Sequence, residues 1–283
     1  MLPKADLHIH TTCSDGKMLP EEAVALASEK KLQCLSITDH DTCKAYHLAK
    51  SKAKDLEIEL IPGVEITSTL DDKEAHILAY NFDPDTNYLE DFLQSQKKAR
   101  RKRIKGIIET VKKKGVDVDF DEVWAEANGA NLGRPHLARV LMQKGYVSSP
   151  KEAFIRYLSD QKLGSIENTY PDYREVIEII KNVGGASVVA HPGKLYTTDE
   201  IQKFINAGID GIECIHPSHN FSLQKKYTAL CESENLLMTG GSDSHDFKDA
   251  AYTNIGIVTI AYKYVERLIR MTKQRKNIIE IKH

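Results

Sequence analysis

His8 and His10 stand two residues apart in ADLHIH (5–10), a spacing that sends both side chains to one face of an extended segment. Two imidazoles on one face can grip a single cation. Further candidates fall at the ends of other apolar runs. His40 follows CLSIT (34–38), Glu65 ends ELIPGVEI (59–66), His76 lies in AHILAY (75–80) and His191 follows ASVVA (186–190). His216 and His219 follow GIECI (211–215), Asp243 and His245 follow LLMTG (236–240) within GGSDSH, and Asp15 lies in a loop five residues past His10. A lone strand-end histidine is commonly a satisfied structural residue. Many strand ends that each deliver His, Asp or Glu need a shared cause, because buried unpaired charges are costly without a compensating cation. The set predicts a multinuclear metal site. It contains no obvious thiolate, and mixed imidazole and carboxylate donors suit Mn2+, Zn2+ or Fe2+ better than Mg2+ or Ca2+. Cys13 reads as a small apolar filler, and Asp39 and Asp41, which flank His40, read as groups that orient a ligand or cap a helix.

The elements that must position these groups are short apolar runs alternating with helical patterns, the signature of a mostly parallel sheet or barrel built from βα units. IGIVTI (255–260) reads as one more strand. In a βα barrel the strand C-termini converge on one face, where active sites are built. Pro20 opens a helix over Glu21–Lys31, Asp172 with Glu175 and Thr197 with Glu200 match capping boxes, and Gly115, Gly184 and Gly208 fall at expected helix ends. Between about 84 and 165 the strand signal disappears and helices are expected at 88–114, 119–127, 135–144 and 150–159, which predicts an all-α insertion. Its first helix carries KKARRKRIKGIIETVKKK (97–114), locally +9 in a chain whose formal charge is −2. That run is either a solvated helix face or a surface that steers an anionic substrate.

A length of 283 residues allows two domains or one large α/β domain with an insertion, and excludes a single small module. With 41% hydrophobic and 28% charged residues, disorder and collagen-like structure are excluded. Basic and acidic residues nearly cancel, 39 against 41, so no overall field draws the chain to nucleic acid or to an anionic membrane. Five cysteines without a C-x-x-C pair fit a reducing cytosol. The N-terminal stretch lacks a basic-then-apolar signal pattern and no apolar run approaches a membrane span, so a cytoplasmic protein without membrane association is expected.

Taken together, ADLHIHTTCSDG, ITDHDT, GVEIT, EAHILAY, VVAHPG and GGSDSH resemble the polymerase and histidinol phosphatase (PHP) family of metal-dependent phosphoesterases. The resemblance covers about 1–83 and 166–283 and implies an α/β fold, a distorted (β/α)7 barrel in two parts around a helical insertion domain at 84–165. It implies two or three divalent ions, Mn2+ first, with Zn2+ or Fe2+ as alternatives. Carried over by position, His8, His10, Glu65 and Asp243 resemble a first metal site; Asp15, His40 and His191 a second; and Glu65, His76 and His245 a third, with Glu65 bridging. Asp15 stands where other members have histidine, which adds a negative charge to the second site.

The segment GRPHLARVLMQKG (133–145) resembles one found in PHP enzymes that act on nucleotides: nucleoside 3′,5′-bisphosphate phosphatases and relatives that trim RNA from its 5′ end. Arg134 has the planar fork that holds a phosphate, and His136 with Pro135 opens a helix whose N-terminus suits an anion. In IECIHPSHN the resemblance favours His219 over His216 as the phosphate-contacting histidine, and Lys194 is a further candidate. Asp15 and His219 are the expected catalytic residues. The expected reaction is hydrolysis of a nucleotide phosphomonoester by a metal-activated water, foremost the 3′-phosphate of a nucleoside 3′,5′-bisphosphate. The alternatives are a 5′→3′ exoribonuclease acting on short RNA, a histidinol-phosphate phosphatase, and a catalytically silent binding module.

Overall fold

Strands and helices follow the apolar runs in a computed structural model that describes residues 3–71, 73–163, 166, 169–246 and 253–282. The chain runs β1 (Lys4–Asp6), α1 (Pro20–Glu29), β2 (Cys34–Leu35), α2 (Lys44–Asp55), β3 (Glu59–Leu60), β4 (Gly63–Leu70) and β5 (Lys73–Tyr80). Helices α3 (Asn87–Lys112), α4 (Phe120–Ala127), α5 (Arg134–Gln143), α6 (Pro150–Ala153) and α7 (Asp160–Leu163) come next, with a wide π-type turn at Phe154–Leu158. Then follow α8 (Tyr173–Asn182), β6 (Ala186–Val189), α9 (Thr198–Asn206), β7 (Gly211–Ile215), α10 (Phe221–Ser233), β8 (Leu237–Gly240), β9 (Ile260–Ala261) and α11 (Tyr262–Lys282). No helix among the described residues is long and apolar enough to cross a membrane.

The fold is mixed α/β. One sheet has the order β3-β2-β1-β9 and the other β4-β5-β6-β7-β8. Pairs β1/β2, β2/β3, β6/β7 and β7/β8 are parallel, whereas β1/β9, β4/β5 and β5/β6 are antiparallel. Extensions of the inner strands of the first sheet join both edges of the second. Past β2, His40 bridges Glu65 of β4; past β1, Ile9 bridges Ser244, just after β8. The Leu7 and His10 N–H groups donate to the Gly240 and Ser244 carbonyls at 3.2 and 2.9 Å. These seams bring His8, His10, His40, Glu65 and Asp243 to one place although they are far apart in sequence.

Side-chain alternation fixes which face looks where. Leu7 and Ile9 are buried in apolar clusters, so His8 and His10 between them turn to the other side. Gly241 lets the chain after β8 approach β1 closely, since a Cβ there would lie 2.4 Å from the His8 nitrogen. The helical stretch has an apolar cluster of its own, in which Ile104, Ile107 and Val111 of α3 meet Val123 of α4 and Leu137 and Leu141 of α5. The helical spacing of these residues is what the sequence pattern requires.

Several sequence expectations are corrected. ELIPGVEI is two strands, β3 and β4, because Pro62 lies between them and cannot donate to a ladder. β4 runs on to Leu70 and turns back as an antiparallel hairpin with β5, so these two are not successive parallel units. IGIVTI is mostly a turn, and only Ile260 enters β9. Thr197 and Glu200 form the reciprocal capping box, but Asp172 caps α8 by accepting from the Arg174 N–H, without Glu175. The 150–159 stretch is α6 followed by the π-type turn instead of one helix.

Candidate metal centre

Glu65, on β4 and 1% exposed, sits at the middle of the histidine cluster. Its Oε2 faces His8 Nε2 at 3.3 Å, His10 Nε2 at 3.1 Å and His40 Nδ1 at 3.4 Å. Its Oε1 faces His76 Nδ1 and His191 Nε2, each at 2.9 Å. Asp243 Oδ1 lies 3.4 Å from His8 Nε2 and 3.2 Å from His10 Nε2. Asp15 lies 3.3 Å from His245 Nε2, 3.5 Å from His10 Nδ1 and 3.8 Å from His40 Nε2. All nine side chains that the sequence nominates as ligands therefore meet, but His191 and His245 exchange partners. His245 groups with His10, Asp15 and His40, and His191 with His8 and Glu65, sharing Glu65 Oε1 with His76, because the chain after β8 runs beside the Asp15 loop while that after β6 lies beside β5.

Cations suit this donor set on the structure's own terms. His8 Nδ1 faces Glu213 Oε1 at 3.0 Å; donating there leaves Nε2 with a lone pair. That Nε2 lies 3.2 Å from His10 Nε2, and two ring nitrogens so placed converge on one point. His40 Nδ1 and His76 Nδ1 are buried without a hydrogen-bond partner, although a Glu65 oxygen is close to each. Burial alone would protonate Glu65, yet the imidazoles of His40, His76 and His8 hold it well below the usual carboxylate range. Asp15 is likewise kept low against its burial by His245 and His40. Burial also opposes charge on His8, but Glu213, Asp243 and Glu65 raise it well above the usual histidine value. Divalent cations can supply the positive charge that those ring protons otherwise bring.

Two ligand positions carry strained backbone. His191 has φ of +27° and Asp243 of +49°, in a region side-chain-bearing residues rarely adopt. Hydrogen bonds hold both: the His191 N–H donates to Glu213 Oε2 at 2.6 Å and the Asp243 N–H to the His8 carbonyl at 2.8 Å. Asp39 accepts from the Thr11 N–H and hydroxyl and from the Ser14 hydroxyl, fixing the loop that carries Asp15. Asp41 accepts from the Thr67 N–H and from the Arg100 guanidinium.

The cluster opens into a cavity of about 210 Å3 whose wall includes Arg134, Arg100, Glu74 and Phe154. Arg134 Nη2 donates to Glu74 Oε1 at 3.0 Å and Nη1 to the Leu158 carbonyl at 3.3 Å, so the π-type turn helps to aim it. A larger cavity of about 590 Å3, near Pro62, Phe82 and Lys276, shares no residue with this one.

Three other nominated residues do not line the cavity. His219 is buried with both ring nitrogens engaged: Nδ1 donates to the Cys214 carbonyl at 2.9 Å, and Nε2 accepts from the Gly193 N–H at 2.8 Å. It braces two loops. His216 is the one that reaches the cluster, with Nε2 3.3 Å from Asp243 Oδ2. His136 Nδ1 accepts from the Gly133 N–H at 3.1 Å, and the residue lines a neighbouring groove with Arg139. Burial and Arg139 push His136 down to about 4, so it is neutral and carries no charge for a phosphate. Lys194 is exposed on the turn after His191. Sequence reasoning missed Glu213 and Glu74; for Glu213 the signal was an acidic residue inside the otherwise apolar strand GIECI, where burial demands a partner.

The basic run of α3 divides between two environments. Arg100 and Arg103 turn inward, Arg103 Nε pairing with Glu74 Oε2 at 3.2 Å, whereas Lys98, Arg101 and Lys105 are exposed.

This fold and this cluster define a metal-dependent phosphoesterase. The chain belongs to the PHP domain family, which matches residues 6–282. It is 34% identical over 250 residues to a 5′-3′ exoribonuclease of Haemophilus influenzae, covering 87% of this chain and 91% of that one. It is 29% identical to a 3′,5′-nucleoside bisphosphate phosphatase of Chromobacterium violaceum, covering 85% of this chain and 86% of that one. Among solved structures, one described as a metal-dependent phosphoesterase of Bifidobacterium adolescentis superposes with a TM-score of 0.84 at 28% identity, over 94% of this chain and 96% of that one.

Proposed function

We propose that the enzyme recognises a 5′-phosphorylated ribonucleotide and hydrolyses the ester at its 3′ position, with a nucleoside 3′,5′-bisphosphate as the minimal substrate. The observation that carries this reading is Arg134 in the wall of the cavity that holds the histidine cluster. One phosphate lies over the cluster while the guanidinium fork takes the other, and Glu74 holds the fork in place. The phosphate does not use the Gly133 N–H, which His136 already occupies.

His8, His10, Asp243 and Glu65 would hold one divalent ion, Asp15, His40 and His245 a second, and Glu65, His76 and His191 a third; Mn2+ is the foremost candidate. Bound there, such ions lower the pKa of water towards neutrality and offset phosphate charge. The chain's own part is positional. Glu213 aims His8, Asp39 fixes the Asp15 loop, and Phe154 beside Arg134 narrows the mouth. Asp15 contributes to catalysis through the ligand set, while His219, with both ring nitrogens engaged, supports the loops beside the cluster. The two sheets with their bridged edges support a distorted (β/α)7 barrel, and the separate apolar cluster supports 84–165 as a helical insertion.

A second reading keeps the same site. If the ester at the 3′ position is a phosphodiester, the leaving group is the rest of an RNA strand and the enzyme is a 5′→3′ exoribonuclease; similarity to enzymes so named favours testing it. The experiment is a product screen with a bisphosphate, a 3′-monophosphate, a 5′-phosphorylated oligoribonucleotide and histidinol phosphate. Preference for substrates that bear a 5′-phosphate supports the proposal. Faster turnover of histidinol phosphate refutes it.

A further inference from the structure

The outward face of α3 and the adjoining face of α4 each carry a stripe of helical spacing. Lys97, Arg101 and Lys105 succeed one another four residues apart on α3, as do Phe120 and Trp124 on α4. The stripes meet. The Arg101 guanidinium carbon lies 4.4 Å from the Trp124 ring centroid, and Lys105 Nζ 4.8 Å from that of Phe120. The two aromatic rings are themselves stacked at 6.1 Å with 23° between planes. Trp124 is 38% exposed, which is unusual for a residue whose burial would stabilise the helical core below it. The ion pairs of the described residues do not include Lys97, Arg101 or Lys105, so their charge is not spent on neighbouring carboxylates.

A groove of about 180 Å3 opens at the Lys97 and Trp124 end of these stripes, lined by Lys97, Arg101, Trp124 and Asn131 among others. It adjoins the histidine-lined cavity along the chain. Residues 129–132 border the groove, and the next residues, Gly133 and Arg134, border the cavity. Asn131 fastens this partition by donating to the His40 and Asp41 carbonyls at 2.8 and 2.9 Å, while Arg100 holds the Leu132 carbonyl at 3.2 Å. On α3 itself, Arg100 looks into the cavity and its neighbour Arg101 onto the groove.

We infer that this groove is a second subsite, which takes the single-stranded oligonucleotide beyond the nucleotide being cleaved: a base stacks against the Trp124 and Arg101 pair, and the adjoining phosphate lies against Lys97. Aromatic faces interleaved with unpaired cations are what single-strand binding uses, because every base offers a π face and every linkage a charge. An acidic peptide would use the cations but not the indole. The inference rests on the proposed nucleotide specificity and extends it to substrate length.

Trp124 is the chain's one tryptophan, so its emission reports this groove alone. The test titrates the metal-loaded enzyme with a ten-residue single-stranded oligoribonucleotide bearing a phosphorothioate at its first linkage, and with a nucleoside bisphosphate and polyglutamate as controls. The expected result is quenching by the oligonucleotide alone, with affinity that weakens as salt rises. Lys97→Gln with Arg101→Gln should lower the slope of log affinity against log salt by about 1.4, at about 0.7 per charge. Trp124→Ala should raise KM for oligonucleotide turnover about tenfold, and either variant should leave bisphosphate turnover within twofold. Equal quenching by polyglutamate, an unaltered salt slope, or equal losses on both substrates would each overturn the inference. Should no nucleotide be turned over at all, the nucleotide specificity fails separately, and the fluorescence titration still decides whether the groove binds a strand.

Discussion

Glu74 joins Arg134 to the histidine cluster: Oε1 accepts from Arg134 Nη2 at 3.0 Å, and the residue stands on β5 two positions before His76, on the same face. Its other oxygen pairs with Arg103. Burial would raise its carboxyl, but Arg134, then His76 and Arg103, hold it well below the usual carboxylate range.

Removing that anion while keeping its shape separates recognition from chemistry. Glu74→Gln should raise KM for a nucleoside bisphosphate about tenfold, with kcat on p-nitrophenyl phosphate altered less than threefold. Arg134→Ala should cost about 100-fold in kcat/KM on the bisphosphate, roughly 3 kcal/mol, the scale of a charge-assisted pair. Steady-state kinetics on both substrates checks this. Equal losses on the two would mean that Arg134 is only a structural link between α5 and the π-type turn.

Glu213 is buried and fixes the ring of His8 from behind, as groups that orient metal ligands do. Glu213→Gln should weaken Mn2+ affinity about 10- to 100-fold, measured by calorimetric titration of the metal-stripped protein. Unaltered affinity would show that His8 is oriented by packing alone.

The two histidines after β7 should respond in opposite ways. His219→Ala strands the Gly193 N–H and the Cys214 carbonyl, and should lower unfolding stability by about 1–3 kcal/mol with kcat changed less than threefold. His216→Ala should leave stability within about 1 kcal/mol and depress activity at least tenfold, through its contact with Asp243. Denaturant melts beside kinetics distinguish them, and the reverse pattern would restore His219 to the chemistry.

His136 gives a pH dependence of stability. Its folded pKa, about 4, lies below the ordinary 6.5, so the folded state binds the neutral ring. The resulting stability is complete above pH 6.5 and is lost as pH falls from there towards 4, by about 3 kcal/mol in all. His136→Asn keeps an acceptor for the Gly133 N–H and cannot titrate. The difference in stability between the two proteins should therefore narrow as pH drops through this window; a constant difference would contradict the assignment.

Much of the site could be read from the sequence because strand alternation and strand ends are local features. ADLHIH, with apolar residues on one side and histidines on the other, needs no tertiary information to be interpreted. Which ligand stands with which does need it. His191 and His245 exchange partners because the order of strands in the sheet, including the antiparallel β4 and β5 hairpin, decides what lies beside Asp15 and Glu65. His136 and His219 lie outside the cavity for a related reason: a histidine that caps a helix N–H or braces two loops has the same local sequence as one that meets a phosphate. The basic run shows the limit from the other side, since residue type alone does not separate Arg100, facing inward, from Arg101, facing out.

The proposed hydrolysis requires cations among these side chains. A crystal of the protein grown with Mn2+ should give anomalous peaks at the metal edge, at least two per chain, within coordination distance of Glu65, Asp15 and Asp243. Peaks absent from the cluster, or found only at surface carboxylates, would contradict it.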